Sequence, residues 1–389
     1  MMKKFISILL LLATLLSCFM IACDNGNPDD VVDEEQEEVI EHPNENVCIR
    51  GAEDVVYSVE TVDGRKYINF GMYPQTKVED PAILVGLSAY ATNLPSSMNA
   101  NGWTVQKIPN EYGVNLNAKS DYSFYKDVVY EGAYYRAMYF TEYRIYNPGS
   151  VTIWDSVAKD WYKPWGPTCQ LTKGYAKETV FWFKYEPIKW EVLQENKSTG
   201  EMFVFSDLCI DSNYWGYDGT NIINNYEKSS VRAFLNDDFL YYAFTKAERE
   251  MINQKVYRND GASTCMASNT NAVGVNNTND KVALISLEEV TRQIYGFDNT
   301  LREMSNGSSQ CFVADVNRQK KGTDYANCQG NYKANDKDWM VVNYWTRSPG
   351  GNQKTVVYVG GNEGVTDDSQ YASCLMGIAP VMYVKGAQA

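Results

Sequence analysis

No folded domain can be built from the first 22 residues. Lys3 and Lys4 precede an apolar run from Phe5 to Ala22, broken only by Ser7, Thr14 and Ser17. Two basic residues, a short apolar stretch and a small residue make a secretory signal peptide. The run ends at Met20-Ile21-Ala22-Cys23, followed by Asp24-Asn25-Gly26. This is the pattern of a bacterial lipoprotein processing site, in which Cys23 becomes the acylated, palmitate-bearing first residue. Leu16-Ser17-Cys18 is a second candidate. An uncleaved anchor helix is the competing reading, because roughly 18 apolar residues just span a bilayer. Under either reading the remainder is exported and held to a membrane at one end.

Residues 23–46 form the next unit. Ten acidic residues and no Lys or Arg lie between Asp24 and Glu45, in a chain whose net charge is −14. Such a stretch repels itself and is expected to stay extended, as a disordered tether. A negative chain without a basic stripe is a poor partner for nucleic acid, whose phosphates demand clustered Lys and Arg. The one histidine, His42, sits in this acidic stretch. Triads and catalytic zinc sites draw on held, oriented imidazoles, so His-based catalysis and His-ligated metals are excluded. No GxxxxGK[ST] or GxGxxG occurs, so no nucleotide cofactor is expected, and no metal. Cys48, Cys169, Cys209, Cys265, Cys311, Cys328 and Cys374 remain beyond Cys23. Their odd number leaves at least one thiol unpaired, with Cys311 and Cys328 the nearest in sequence and the first candidates for a bridge, and burial as small hydrophobes the equal alternative.

Residues 47–389 read as a single globular domain. Lys66–Gly71 reads as a strand ending at a glycine. Asp127–Tyr130 and Tyr134–Phe140 make a hairpin around Glu131-Gly132. Phe181–Tyr185 and Ile188–Leu193 read as two strands separated by Glu186-Pro187, with Met202–Phe205 following a polar turn. Ser229 or Ser230 caps a helix carrying Val231, Phe234, Leu235, Phe239 and Leu240. Thr245 with Glu248, and Ser286 with Glu289, form capping boxes. The first opens a helix burying Met251 and Ile252, the second a helix running through Ile294. Val282–Ile285 is a buried strand, and residues 259–279 read as a long surface loop. Met340–Trp345 is a strand before Thr346-Arg347-Ser348-Pro349-Gly350. Lys354–Val359 and Gly364–Thr366 flank a Gly360-Gly361-Asn362-Glu363 turn, and Ile378–Val384 is a last strand. Strands and helices are segregated rather than alternating, which gives an α+β class of mixed or antiparallel short strands with a few helices.

Several stretches carry a resemblance. They are Ile68–Gln75, Tyr134–Thr141, Phe183–Trp190, Ser230–Asn236, Asn279–Ser286, Thr323–Ala326 and Trp345–Gly350. In this order the chain resembles the bacterial domain of unknown function 6273, over about residues 66–384. The resemblance implies an exported, surface-anchored protein. By analogy with spirochaete-type lipoproteins it also implies a C-type lectin-like fold, although fold does not fix function.

The candidate sites follow. Trp345, Arg347 and Pro349, which with Gly350 form one structural motif, could line a site with Arg347 clamping an anion. A core Trp beside an Arg paired to a carboxylate is the favoured alternative. The final hairpin offers ligand-binding candidates in Asn352, Gln353, Tyr358, Asn362, Asp367, Asp368 and Tyr371, because Tyr beside Asn and Gln is the chemistry of recognition loops. Asp367-Asp368 falls far short of a calcium site. The tyrosines of residues 112–146, in a chain of 29 Tyr, suit ligand stacking or cross-strand packing equally. Glu186, Asp207 and Asp211 could supply paired carboxylates for glycan cleavage. The expected function is an envelope lipoprotein, exposed at the cell surface, that displays a domain binding a protein or glycan. The alternatives are a carboxylate-based glycan hydrolase, a degenerate formylglycine-generating-type oxidase, or a purely structural envelope protein.

Overall fold

A computed structural model describes residues 42–96, 100–107, 122–144, 153–155, 160–162, 168, 170–216, 224–261, 276–303, 310–331, 341–350, 353–361 and 366–386. Cys23, the tether up to residue 41, Asn352 and Asn362 lie outside them. Pro43–Ala389 forms one unit, α+β in class and mostly antiparallel. Among the described residues no helix is long and apolar enough to cross a membrane.

A 10-stranded sheet is organised on Phe181–Glu195. One edge of that strand pairs with Arg65–Lys77, which in turn pairs with Tyr57–Val62. Its other edge is shared, with Ala133–Tyr139 on Phe181–Lys184 and Met202–Ser206 from Trp190 onward. Glu186-Pro187 therefore does not separate two strands, as the sequence implies. Pro187 falls in the interval that neither neighbour occupies, where its missing N–H is tolerated, and Gln75 Nε2 donates to the carbonyls of Glu186 and Pro187.

Gly71 likewise does not end its strand. At φ +69° it sits inside Arg65–Lys77, where the register shifts against the central strand between Asn69 and Met72. Bulges of this kind favour glycine. A Cβ there would lie 2.4 Å from the Phe244 ring. The aromatic hairpin forms as the sequence indicates, on Tyr122–Tyr130 and Ala133–Tyr139, with Glu131 and Gly132 both at positive φ.

The helix capped by Ser229 is interrupted. An α turn, Ser230–Ala233, passes into a π-helical Phe234–Phe239 and back to α at Leu240–Ala243. Phe234 and Phe239 are five residues apart, more than one α turn, and the wider π turn keeps both on the buried side. Both capping boxes are present. The first helix, Lys246–Met251, buries Glu248 and Arg249, while Ile252 opens a strand and Met251 is half-buried. Glu248 earns its burial from Arg50, whose guanidinium it binds. The second helix stops at Val290 and gives way to a 3-10 turn that leaves Ile294 exposed.

A 5-stranded sheet orders Asp211–Tyr214, Leu375–Ile378, Tyr344–Pro349, Thr355–Val359 and Thr366–Tyr371. Its third strand contains the Thr346–Pro349 motif rather than leading to it. The last expected strand is two: Leu375–Ile378 belongs to the smaller sheet and Pro380–Val384 to the larger, with Ala379 between them. Of the expected loop at residues 259–279, Thr278–Asp280 is a strand on Lys255–Tyr257, and Asn259 is buried.

Candidate functional site

The sequence motifs interlock. Arg232 binds Asp280 through Nε and Nη2, and Asn236 bridges the helix to the Val282–Leu284 strand through both its amide oxygen and nitrogen. Glu289 closes the Ser286 capping box and receives Arg347 in a fork, with Nη1 at 2.6 Å and Nη2 at 2.7 Å. Arg347 also donates to the carbonyls of Leu284 and Arg258. Trp345 is wholly buried, its indole N–H on the Asn213 carbonyl. Pro349 lies opposite Val356, and the Gly350 N–H donates to the Thr355 carbonyl.

A cleft of about 230 Å³ opens beside this frame, lined by Lys255–Arg258, Glu288, Glu289, Arg292, Arg347 and Tyr383. The Lys255–Tyr257 ribbon, the Leu287–Val290 helix, one strand of the smaller sheet and the last strand of the larger sheet converge there. Burial would lower the Arg347 pKa, but the Glu289 carboxylate outweighs it and the net shift is upward. Burial acts on Glu289 in the opposite sense, and Arg347 overrides it to hold that carboxyl below its ordinary value. Both groups therefore stay charged at neutral pH. Burial raises the Tyr257 phenol well above its usual range and pushes Tyr383 up to about 12, so both remain protonated. Arg347 stands 5.2 Å from the Tyr257 ring centre and Lys255 5.1 Å from that of Tyr383.

The final hairpin is a different place. Gln353 is exposed, with its carbonyl accepting from Asn224 N, and Tyr358 is half-buried against the core. Asp367 pairs in register with Tyr358 and Tyr371 with Thr355, while Asp368 lies between them on the same strand. The three carboxylates considered for cleavage do not line the cleft. Asp211 is buried under the Tyr73 hydroxyl, at 2.8 Å, and Glu186 accepts from Thr76. The tyrosines near residue 125 serve packing. Arg136, bidentate on Asp127, is ringed by Tyr73, Tyr125, Tyr185, Tyr242 and Tyr325 at 4.1–5.8 Å. Cys48 and Cys209 are free thiols, and burial raises both pKa values, that of Cys209 to about 12, so neither is a ready nucleophile. The side chain of Cys311 lies outside the described residues.

Fold and cleft together define a two-sheet α+β domain with a cationic, tyrosine-lined recess. Residues 199–386 match the model of the family described as Domain of unknown function (DUF6273). Every residue lining the cleft falls within the match, and the motifs from Ile68 to Trp190 precede it. No curated protein and no solved structure matches the chain.

Proposed function

We propose that the protein is a lipid-anchored envelope component, held through Cys23 and displayed at the cell surface, whose domain binds a protein or glycan ligand. Its loops would be presented in a C-type lectin-like manner. One observation carries the reading: a chain of net charge −14 gathers Arg258 together with Arg347, Arg292 and Lys255, the last three each paired to a glutamate, around one recess beside Tyr257 and Tyr383. Cations collected against the overall charge, with aromatic faces at hand, are the chemistry of a ligand site. The hydrolase alternative is weakened by Asp211, which is 1% exposed and hydrogen-bonded to Tyr73. The oxidase alternative needs neighbouring reactive thiols, and Cys48 and Cys209 are free with raised pKa values.

The deciding experiment is an array of glycans and extracellular proteins probed with the purified chain. Retention of a defined ligand, with binding unchanged when Gln353 is replaced and reduced when a cleft residue is replaced, is the expected result. Uniform silence on the array would remove the reading.

A further inference from the structure

We propose that the cleft takes a single carboxylate carried on one sugar ring, a ligand of the uronic-acid class. The proposal rests on the binding-module reading and names its ligand. Arg347 is bound to Glu289, Arg292 to Glu288 and Lys255 to Glu201. Arg258 is exposed, and its side chain has no protein partner among the described residues. The recess thus carries one unbalanced positive charge. A carboxylate balances it, whereas a phosphate monoester, bearing nearly two negative charges at neutral pH, leaves an excess. The guanidinium fork also matches carboxylate geometry.

The second observation is independent of charge. Tyr257 is one of the residues lining the recess, and its hydroxyl is buried with no hydrogen-bond partner among the described residues. Buried hydroxyls are ordinarily satisfied, and a ligand oxygen would complete this one. Glu288 accepts Arg292 on one carboxylate oxygen and, among the described residues, no protein donor on the other, which suits a sugar hydroxyl. The volume of about 230 Å³ is below that of sites for drug-sized molecules, so a single ring fits. An apolar peptide side chain finds little support, because Val256 is the aliphatic residue of the lining and is 67% exposed.

The test is calorimetry and saturation-transfer NMR on the full chain in detergent, with D-glucuronate, methyl β-D-glucuronide, D-glucose and glucose 6-phosphate as probes. Glucuronate is expected to bind, glucose roughly tenfold more weakly or worse, and Arg258→Gln to weaken glucuronate about tenfold. Tyr257→Phe should also weaken it while leaving the urea midpoint unchanged or raised, whereas a merely structural hydroxyl would lower that midpoint. Binding of the free acid alone identifies a free acid as ligand, and binding of the methyl glucuronide as well identifies a glycan terminus. Equal binding of glucose, tighter binding of the phosphate, or indifference to Arg258→Gln would overturn the proposal. If glucuronate is silent while the array returns another ligand, the proposal falls and the binding-module reading stands. Silence in both removes both.

Discussion

Arg347 presents five N–H donors, and four are committed to Glu289 and to the carbonyls of Leu284 and Arg258. Its main work is to fasten the smaller sheet to the helix that opens at Ser286. Removing one partner leaves a buried charge unmet, so Arg347→Ala or Glu289→Gln should cost about 3–5 kcal/mol in urea unfolding. The joint change Arg347→Met with Glu289→Leu should cost less than either single one. Asp211 behaves oppositely with pH. Burial raises its carboxyl from 3.8 to about 6, against the Tyr73 and Ser212 donors that lower it. The folded state therefore holds a proton that the unfolded chain has released between those values. Stability from this group is full below the unfolded value and is lost as pH rises through about 6, by roughly 3 kcal/mol. Asp211→Asn should thus gain on the natural chain as pH rises from 4 to 8 in urea titrations, and a constant difference would contradict this. The pairing of Arg347 was legible because a motif arginine beside a core Trp commonly serves structure through a carboxylate, although the strand runs on through it rather than ending there. Tyr257 and Arg258 were not, since they border an Asn-, Thr- and Ser-rich stretch and carry no periodicity that marks a site.

Among elements, the capping boxes and the Glu131-Gly132 hairpin could be read because their signals are local. A hydroxyl and a carboxylate three residues apart suffice for the first, and a two-residue turn for the second. Gly71 and Pro187 misled for the complementary reason: both are local breakers, and partner strands from far along the chain decided their roles. Gly71→Ala tests this. The substitution forces a Cβ at φ +69° against Phe244, 2.4 Å away, and should cost about 2–4 kcal/mol in thermal unfolding. Adding Phe244→Leu should recover part of the loss. A harmless Gly71→Ala would mean that the bulge tolerates any residue. The π turn at Phe234–Phe239 had no such signal, because the spacing of its apolar residues also fits an α-helix with a wide buried face.

For the whole molecule, the α+β class followed from segregated strands and helices, but the division of strands between two sheets did not. Membership in a sheet is set by long-range pairing, such as Asp211 with Ile378 and Met202 with Val384. Anchoring belongs to this scale too. Cys23→Ser should move the protein from the detergent phase to the aqueous phase in Triton X-114 partitioning and abolish labelling by palmitate. Retention of either would contradict acylation at Cys23. The passage through Ala379 has a consequence of its own. One segment supplies a rung to each sheet, so neither ladder is finished until the ribosome has delivered it. Every partner made earlier must wait with its edge open, and the peptide bonds around residue 379 are a covalent link between the two ladders.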